Sequence, residues 1–324
     1  MELLKGYSAS LEEHLKKTVL EDEPTQLYEP IRYILSLGGK RIRPVLTLLS
    51  CDFLGTDYHK AMNAALAVEL FHNFSLIHDD IMDSAPLRRG KVTVHEKWDL
   101  NTGILSGDAM LILAYQLFEA YEPVLFAEMA QLFSKTAIEV CEGQQYDVDF
   151  EERDDVTIAE YIKMIDYKTA VLIGASMKMG AIVAGASESC KEGIYEFGRN
   201  LGLAFQLQDD FLDAFGNPET FGKQLGGDII SNKKTFLYLM AMENGSEEET
   251  KELRHLYSIN PKDPSEKIAI VKRIFENSGA VHAAQEEISN YTQRANTVLN
   301  EIMISEENRQ KLRDFGDWLM QRKV

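Results

Sequence analysis

The stretch AMNAALAVELFHNFSLIHDDIMD, residues 61–83, holds no proline or glycine and repeats apolar residues at i, i+3 and i+4 along its length. That spacing marks an α-helix with an apolar face. It sets the fold class, because the same period recurs in EMAQLFSKTAIEVCEGQQYD (128–147), GIYEFGRNLGLAFQLQDDFLDAF (193–215) and AAQEEISNYTQRANTVLNEIM (283–303). Alternating β-branched runs bounded by turn residues do not occur, so no significant sheet is expected. Helices should stop at SLGGK (36–40), FLGTD (53–57) and ENGSEE (243–248), each with a glycine in the left-handed conformation. NPKDPSEK (260–267) reads as a turn into a helix capped by Asp263 or Ser265. No Ser/Gly/Pro-rich linker divides the chain, so the expectation is one all-α domain over residues 1–324.

Two of these helical runs end in the same acidic pattern, Asp-Asp-x-x-Asp: HDDIMD (78–83) and QDDFLD (208–213). On a helix each residue advances about 100°, so Asp83 lies roughly 40° and Asp80 roughly 100° from Asp79. Asp209, Asp210 and Asp213 repeat the arrangement. Three carboxylates on one such arc repel one another and raise each other's pKa unless a counter-charge is present. Mg2+ supplies that charge: it is hard, prefers carboxylate oxygens and is commonly shared with a substrate phosphate.

Each cluster is followed by an irregular basic segment, SAPLRRGKVTVH (84–95) and GNPETFGKQLGGDIISNKK (216–234). A phosphate site needs such cations, Arg as a two-pronged donor and Lys as a point charge. The candidates are Lys40, Arg41 and Arg43 in GGKRIRP (38–44), Arg88 and Arg89, Lys168 with Thr169 in DYKTA, and Lys223 and Lys233. His72 shares a helix face with Asp79, and Gln206 shares one with Asp209; a buried glutamine needs partners, and a diphosphate would be one.

Composition narrows the partners. Lys plus Arg total 34 against 52 Asp plus Glu, a net charge of −18. A field of that sign repels nucleic acid and anionic membrane surfaces. Cys51, Cys141 and Cys190 are sparse and lack metal spacing, so they are expected as buried free thiols in a reducing cytoplasm. The N-terminal MELLKGYSASLEEHLKK has acids from position 2 and no cleavable apolar core. No uncharged run is long enough to span a bilayer.

Taken in order, GGKRIRP, HNFSLIHDDIMDSAPLRRG, YKTA, FQLQDDFLDAFG and FGKQLGGDIISNKKT resemble the motifs of the trans-isoprenyl diphosphate synthases, or polyprenyl synthetases, over nearly the whole chain. The resemblance implies helices around a deep central cavity and a homodimer. It implies three Mg2+ ions held with an allylic diphosphate by Asp79, Asp80, Asp83 and Asp209, with Asp210 and Asp213 acting directly or through water. Arg88, Lys168, Thr169, Gln206, Lys223 and Lys233 would hold the allylic diphosphate. Lys40, Arg43, His72 and Arg89 would bind isopentenyl diphosphate. The basic end, Arg322 and Lys323, is expected either to close over diphosphate or to be a solvated terminus.

In such enzymes bulk just before the first acidic motif forms the cavity floor. Phe71, Phe74 and Ser75 stand there, and Phe74 beside a small Ser75 resembles the short-chain geranylgeranyl synthases. The implied product is geranylgeranyl ahead of farnesyl diphosphate. Two other classes share parts of this pattern. Terpene cyclases usually carry an Asn/Ser/Glu-type second motif, where this chain has aspartates. Non-catalytic partner subunits tend to lose acidic ligands, and all six are intact here.

Overall fold

The computed structural model describes residues 2–18, 23–217 and 225–320. Among the described residues the regular structure is helical apart from one hairpin, β1 (Leu87–Arg88) against β2 (Lys91–Val92), so the expectation of an all-α chain holds. By backbone contacts the chain divides into two compact units, Met1–Ser134 with Ser176–Glu192, and Lys135–Ala175 with Gly193–Val324. Three long helices, α7 (Pro123–Glu152), α9 (Val171–Val183) and α10 (Glu188–Phe215), contribute residues to both.

The first unit is built on α4 (Met62–Met82), which packs against α1 (Glu2–Lys17), α2 (Thr25–Ser36), α3 (Ile42–Phe53) and α6 (Leu100–Gln116). Residues 64–71 of α4 are all buried, Glu69 included, so this stretch is covered on every side. α6 accommodates this neighbour with small buried residues, Gly103, Ser106, Gly107 and Ala114. Between them, α5 (Val94–Lys97) follows the hairpin.

The second unit holds α8 (Ile158–Ile165), a π-helical segment Asp166–Ala170, and after α10 the helices α11 (Gly227–Ile230), α12 (Phe236–Asn244), α13 (Glu247–Leu256), α14 (Ser265–Asn277), α15 (Ala280–Glu301) and α16 (Glu306–Met320). Its core gathers Tyr161, Leu207, Phe236, Leu237, Val271 and Phe275.

The expected helix ends mostly occur as read. Gly38, Gly39 and Gly55 take positive φ (74°, 133° and 86°). Gly245 is a correction: its φ is −70°, because the chain leaves α12 extended so that Ser246 can start α13 with a capping box to Glu249. Asp263 takes the Ser265 N–H at 3.0 Å ahead of α14. The cysteines are free, but Cys141 is exposed rather than buried, because it lies on the outward face of α7. Among the described residues no helix is long and apolar enough to cross a membrane.

Candidate functional site

In the first unit the last turn of α4 carries Asp79, half-buried, and Asp80, 1% exposed; Asp83 caps the helix and is exposed. The hairpin brings Arg88 onto the pair. Its Nε donates to Asp80 Oδ1 at 2.8 Å, and its Nη2 lies 2.7 Å from Asp80 Oδ1 and 3.4 Å from Asp79 Oδ2. Burial raises the Asp80 pKa; the bond to Arg88 opposes the shift and the Asp79 charge adds to it.

The hairpin turn is Arg89-Gly90, with φ of 54° and 72° at its two central residues, the geometry that matches the twist of a two-residue hairpin. Arg89 donates through Nη1 to the Gly38 carbonyl. A Cβ on Gly39 would stand 2.7 Å from that guanidinium, so glycine there makes room for it.

Lys40, Arg43 and His72 lie beside this contact. Lys40 is exposed, while Arg43 Nη1 is 3.3 Å from His72 Nε2. Burial pushes the Arg43 pKa down to about 10, against the pull of Glu69. Burial, with Arg43, Arg89 and Arg88 nearby, holds His72 well below the usual histidine value, so His72 is a neutral donor or acceptor. Arg41 is used differently, for it is buried and donates to Glu69 Oε1 and the Leu35 carbonyl. Asn73 Nδ2 reaches the same Glu69 oxygen at 2.6 Å.

Phe74 is 9% exposed, 4.8 Å from the His78 ring and 5.5 Å from Phe71, which itself packs on Phe133. Ser75 is half-buried and its hydroxyl donates to the His72 carbonyl at 2.8 Å.

In the second unit Lys168 and Thr169 stand on the π-helical segment, where the extra residue per turn re-aims side chains and often marks a functional site. Lys168 Nζ bonds Asp147 Oδ2 at 2.5 Å, and Lys233 Nζ is 4.0 Å from the same oxygen. Burial would raise the Asp147 pKa, but the two lysines outweigh it and lower it. The motifs do not single out Asp147. Its signal is Gly143, one turn earlier in α7: a Cβ there would strike the Lys168 backbone, so a glycine inside a helical run marks the close approach.

A second chain of bonds runs Thr169 Oγ1 to Gln206 Oε1 at 3.2 Å and Gln206 Nε2 to Asp210 Oδ1 at 2.9 Å. The Tyr161 hydroxyl donates to the other Asp210 oxygen. Burial, with Asp228 close by, pushes the Asp210 pKa well up, and its oxygens are taken by neutral donors. Asp209 is half-buried beside it. Asp213 Oδ2 accepts the Asp228 N–H at 3.0 Å, which ties the following loop to the cluster. Lys234, adjacent to Lys233, instead caps α7, donating to the carbonyls of Phe150 at 3.2 Å and Glu151 at 3.3 Å. Lys223, Arg322 and Lys323 lie outside the described residues.

Two buried atoms define what this chemistry accepts. Asp80 Oδ2 takes no hydrogen bond, and Arg43 Nε makes none. A buried carboxylate oxygen without a donor fits a hard cation, and a buried guanidinium N–H without an acceptor fits an anion. Among the described residues no three acidic, histidine or cysteine side chains already stand as a metal-ligand set. Arg88 draws Asp79 and Asp80 to itself, and Tyr161 and Gln206 occupy Asp210.

Among the described residues, the non-glycine positions with positive φ are Arg41 (47°), Ser84 (48°), Arg89 (54°) and Asn232 (58°), and all of them fall in the three basic segments of the sequence. Such backbone costs about 1–3 kcal/mol per residue and collects at functional sites.

Comparison with known proteins gives a concordant result. The polyprenyl synthetase family model matches residues 24–274. A geranylgeranyl pyrophosphate synthase of Geoglobus acetivorans is 37% identical over 323 residues, 99% of this chain and 98% of that protein. A geranylfarnesyl diphosphate synthase of Natronomonas pharaonis is 36% identical over 318 residues, 93% of this chain and 91% of that one. The crystal structure of a geranylgeranyl pyrophosphate synthase superposes with a TM-score of 0.95 at 54% identity, covering 99% of both chains.

Proposed function

This chain belongs to the polyprenyl synthetase family and is a prenyltransferase, and we propose that it condenses isopentenyl diphosphate with an allylic diphosphate to give chiefly geranylgeranyl diphosphate. The observation that carries the reading is Arg43 Nε, a buried cationic donor with no acceptor, beside a histidine that stays neutral. That pair suits a diphosphate that must be gripped without a competing carboxylate.

In this reading Lys40, Arg43, His72 and Arg89 hold isopentenyl diphosphate. Arg88, Lys168, Thr169, Gln206, Lys223 and Lys233 hold the allylic diphosphate. Asp79, Asp80, Asp83 and Asp209, with Asp210 and Asp213 directly or through water, hold Mg2+, three ions by family likeness. When bound, Mg2+ supplies Lewis-acid stabilisation of the departing diphosphate. The allylic C–O bond breaks and its electron pair leaves with the diphosphate, whose growing charge Arg88, Lys168 and Lys233 stabilise. The isopentenyl double bond attacks the allylic carbon, and the proton then lost goes to the released diphosphate. No nucleophilic side chain is required, because excluding water is enough to protect such a cation.

Phe74 is the floor that limits the product, with Phe71 behind it and Ser75 leaving room at its side. The geranylgeranyl relatives support twenty carbons, and the geranylfarnesyl relative sets the nearest longer alternative. The family match spans residues of both units, which supports one polyprenyl synthetase domain. Exposed Leu100, Ile104, Leu105 and Ile112 on α6 support a homodimer through that helix. Free cysteines suit a cytoplasmic setting.

The test is incubation of the purified chain with isopentenyl diphosphate and dimethylallyl, geranyl or farnesyl diphosphate, with Mg2+ or chelator, followed by mass spectrometry. A Mg2+-dependent series ending at twenty carbons is expected. A folded protein that condenses no primer overturns the reading. Light scattering of the same sample should give twice the chain mass; a monomer rejects the dimer.

A further inference from the structure

Helix α14 carries no motif of the condensation chemistry, yet it holds a buried cation. Lys267 is 3% exposed. Its ammonium donates to Asn232 Oδ1 at 2.5 Å and to the Ile259 carbonyl at 3.1 Å, and it lies 5.7 Å over the Tyr257 ring. Both acceptors are neutral. Burial lowers its pKa from the usual lysine value. A charge is costly to bury without a counter-ion, so a lysine kept in such a place calls for a reason beyond packing.

What it holds is the turn ahead of Lys233. Asn232 has a φ of 58°, a left-handed conformation that asparagine tolerates, and its side-chain bonds fix how the turn is held. Its Nδ2 donates to Asn260 Oδ1 at 2.9 Å, so both ends of the side-chain amide are fixed. The next residue is Lys233, whose N–H donates to the Asp228 carbonyl at 2.9 Å and whose ammonium stands 4.0 Å from Asp147. The same helix braces the loop at a second point: a Cβ on Gly226 would stand 3.0 Å from Ile268, and the Gly226 N–H donates to the Asp213 carbonyl at 2.7 Å.

We propose that Lys267 is a positioning residue for the allylic diphosphate, acting through the Asn232 turn to fix where the Lys233 ammonium points. The inference rests on the reading of Lys233 as a diphosphate ligand. Lys267 touches no substrate itself.

Steady-state kinetics of full-length Lys267→Met test it. Methionine keeps the volume and removes both the charge and the bonds. The expected result is a rise of about tenfold in KM for the allylic diphosphate, since misplacement on the order of 1 Å can cost far more. KM for isopentenyl diphosphate should be unchanged. Asn232→Gly, which keeps the left-handed backbone open and removes the amide, should reproduce the shift. The double variant should add nothing further, because the two act in series. A Lys267→Met protein with a changed melting temperature but an unchanged allylic KM overturns the inference. Equal rises in both KM values overturn it too, as general loosening. Lys233→Ala separates the two levels. If it leaves the allylic KM alone, the ligand reading itself fails; if it raises that KM while Lys267→Met does not, only the positioning role fails.

Discussion

Glu69 offers the sharpest test of what holds the first unit's basic cluster in place. Its side chain is 4% exposed and faces an Arg41 side chain that is 6% exposed. Arg41 also donates to the Leu35 carbonyl, so one guanidinium joins the end of α2, the start of α3 and the middle of α4. Glu69→Leu removes the carboxylate that the guanidinium bonds and leaves a buried charge without that partner. Breaking a buried pair from one side costs about 3–5 kcal/mol. The loss at Asn73 is smaller, because its amide keeps the Glu69 main-chain carbonyl at 2.8 Å. Each kcal/mol moves the melting temperature of a unit of 150–250 residues by about 2–4 °C, so scanning calorimetry should record a fall of roughly 6–20 °C. The companion variant Glu69→Leu/Arg41→Met removes the stranded charge and should recover most of that fall, since apolar replacement of a whole buried pair is often neutral or better. If the double variant melts as low as the single one, uncompensated charge is not what Glu69 prevents, and the electrostatic account of this cluster is wrong.

Three further outcomes follow from the same geometry. Phe74→Ala should lengthen the product by one or more five-carbon units, and Ser75→Phe should shorten it; an unchanged chain-length distribution in both removes Phe74 from the floor. The ring proton signals of His72 should titrate by NMR at a lower pH than those of an exposed histidine, because burial and the neighbouring arginines hold its folded pKa well below the unfolded value of about 6.5. Its contribution to stability is therefore complete above about pH 6.5 and is lost as pH falls, when the unfolded chain takes up a proton that the folded one refuses. His72→Gln should flatten that part of the stability profile. Asp80→Asn should keep the fold and cut turnover on the order of 10²-fold or more, with a higher Mg2+ requirement; wild-type Mg2+ dependence in that variant counts against Asp80 as a ligand.

The parts readable in advance were those written in local periodicity. α4 and α10 end in their aspartates because the apolar spacing runs straight into them, and the shared faces of His72 with Asp79 and Gln206 with Asp209 follow from 3.6 residues per turn. What the spacing could not tell is which cation answers which acid. Arg41 and Arg43 are two residues apart, in one motif, and look interchangeable. Only α4, brought alongside α3 by tertiary packing, supplies Glu69 to one of them, while the other keeps a buried N–H with no acceptor. Lys233 and Lys234 divide the same way: the second is used up on the end of α7, and the first is left near Asp147.

The same limit explains Arg41, Arg89 and Asn232. Left-handed backbone is favoured by glycine and tolerated by asparagine, so neither arginine announces it. Each is held there by a side-chain bond to a segment far along the chain: Arg41 to α4, Arg89 to the Gly38 carbonyl, and Asn232 to Lys267 of α14. Strain stored this way persists only while the distant contact lasts. The cations proposed to hold diphosphate at Lys40, Arg43, Arg88 and Lys233 all lie within two residues of such a position. Their aim is therefore set by bonds to residues far along the chain, and substitutions at Glu69, Gly39 or Lys267 should alter substrate affinity without touching substrate.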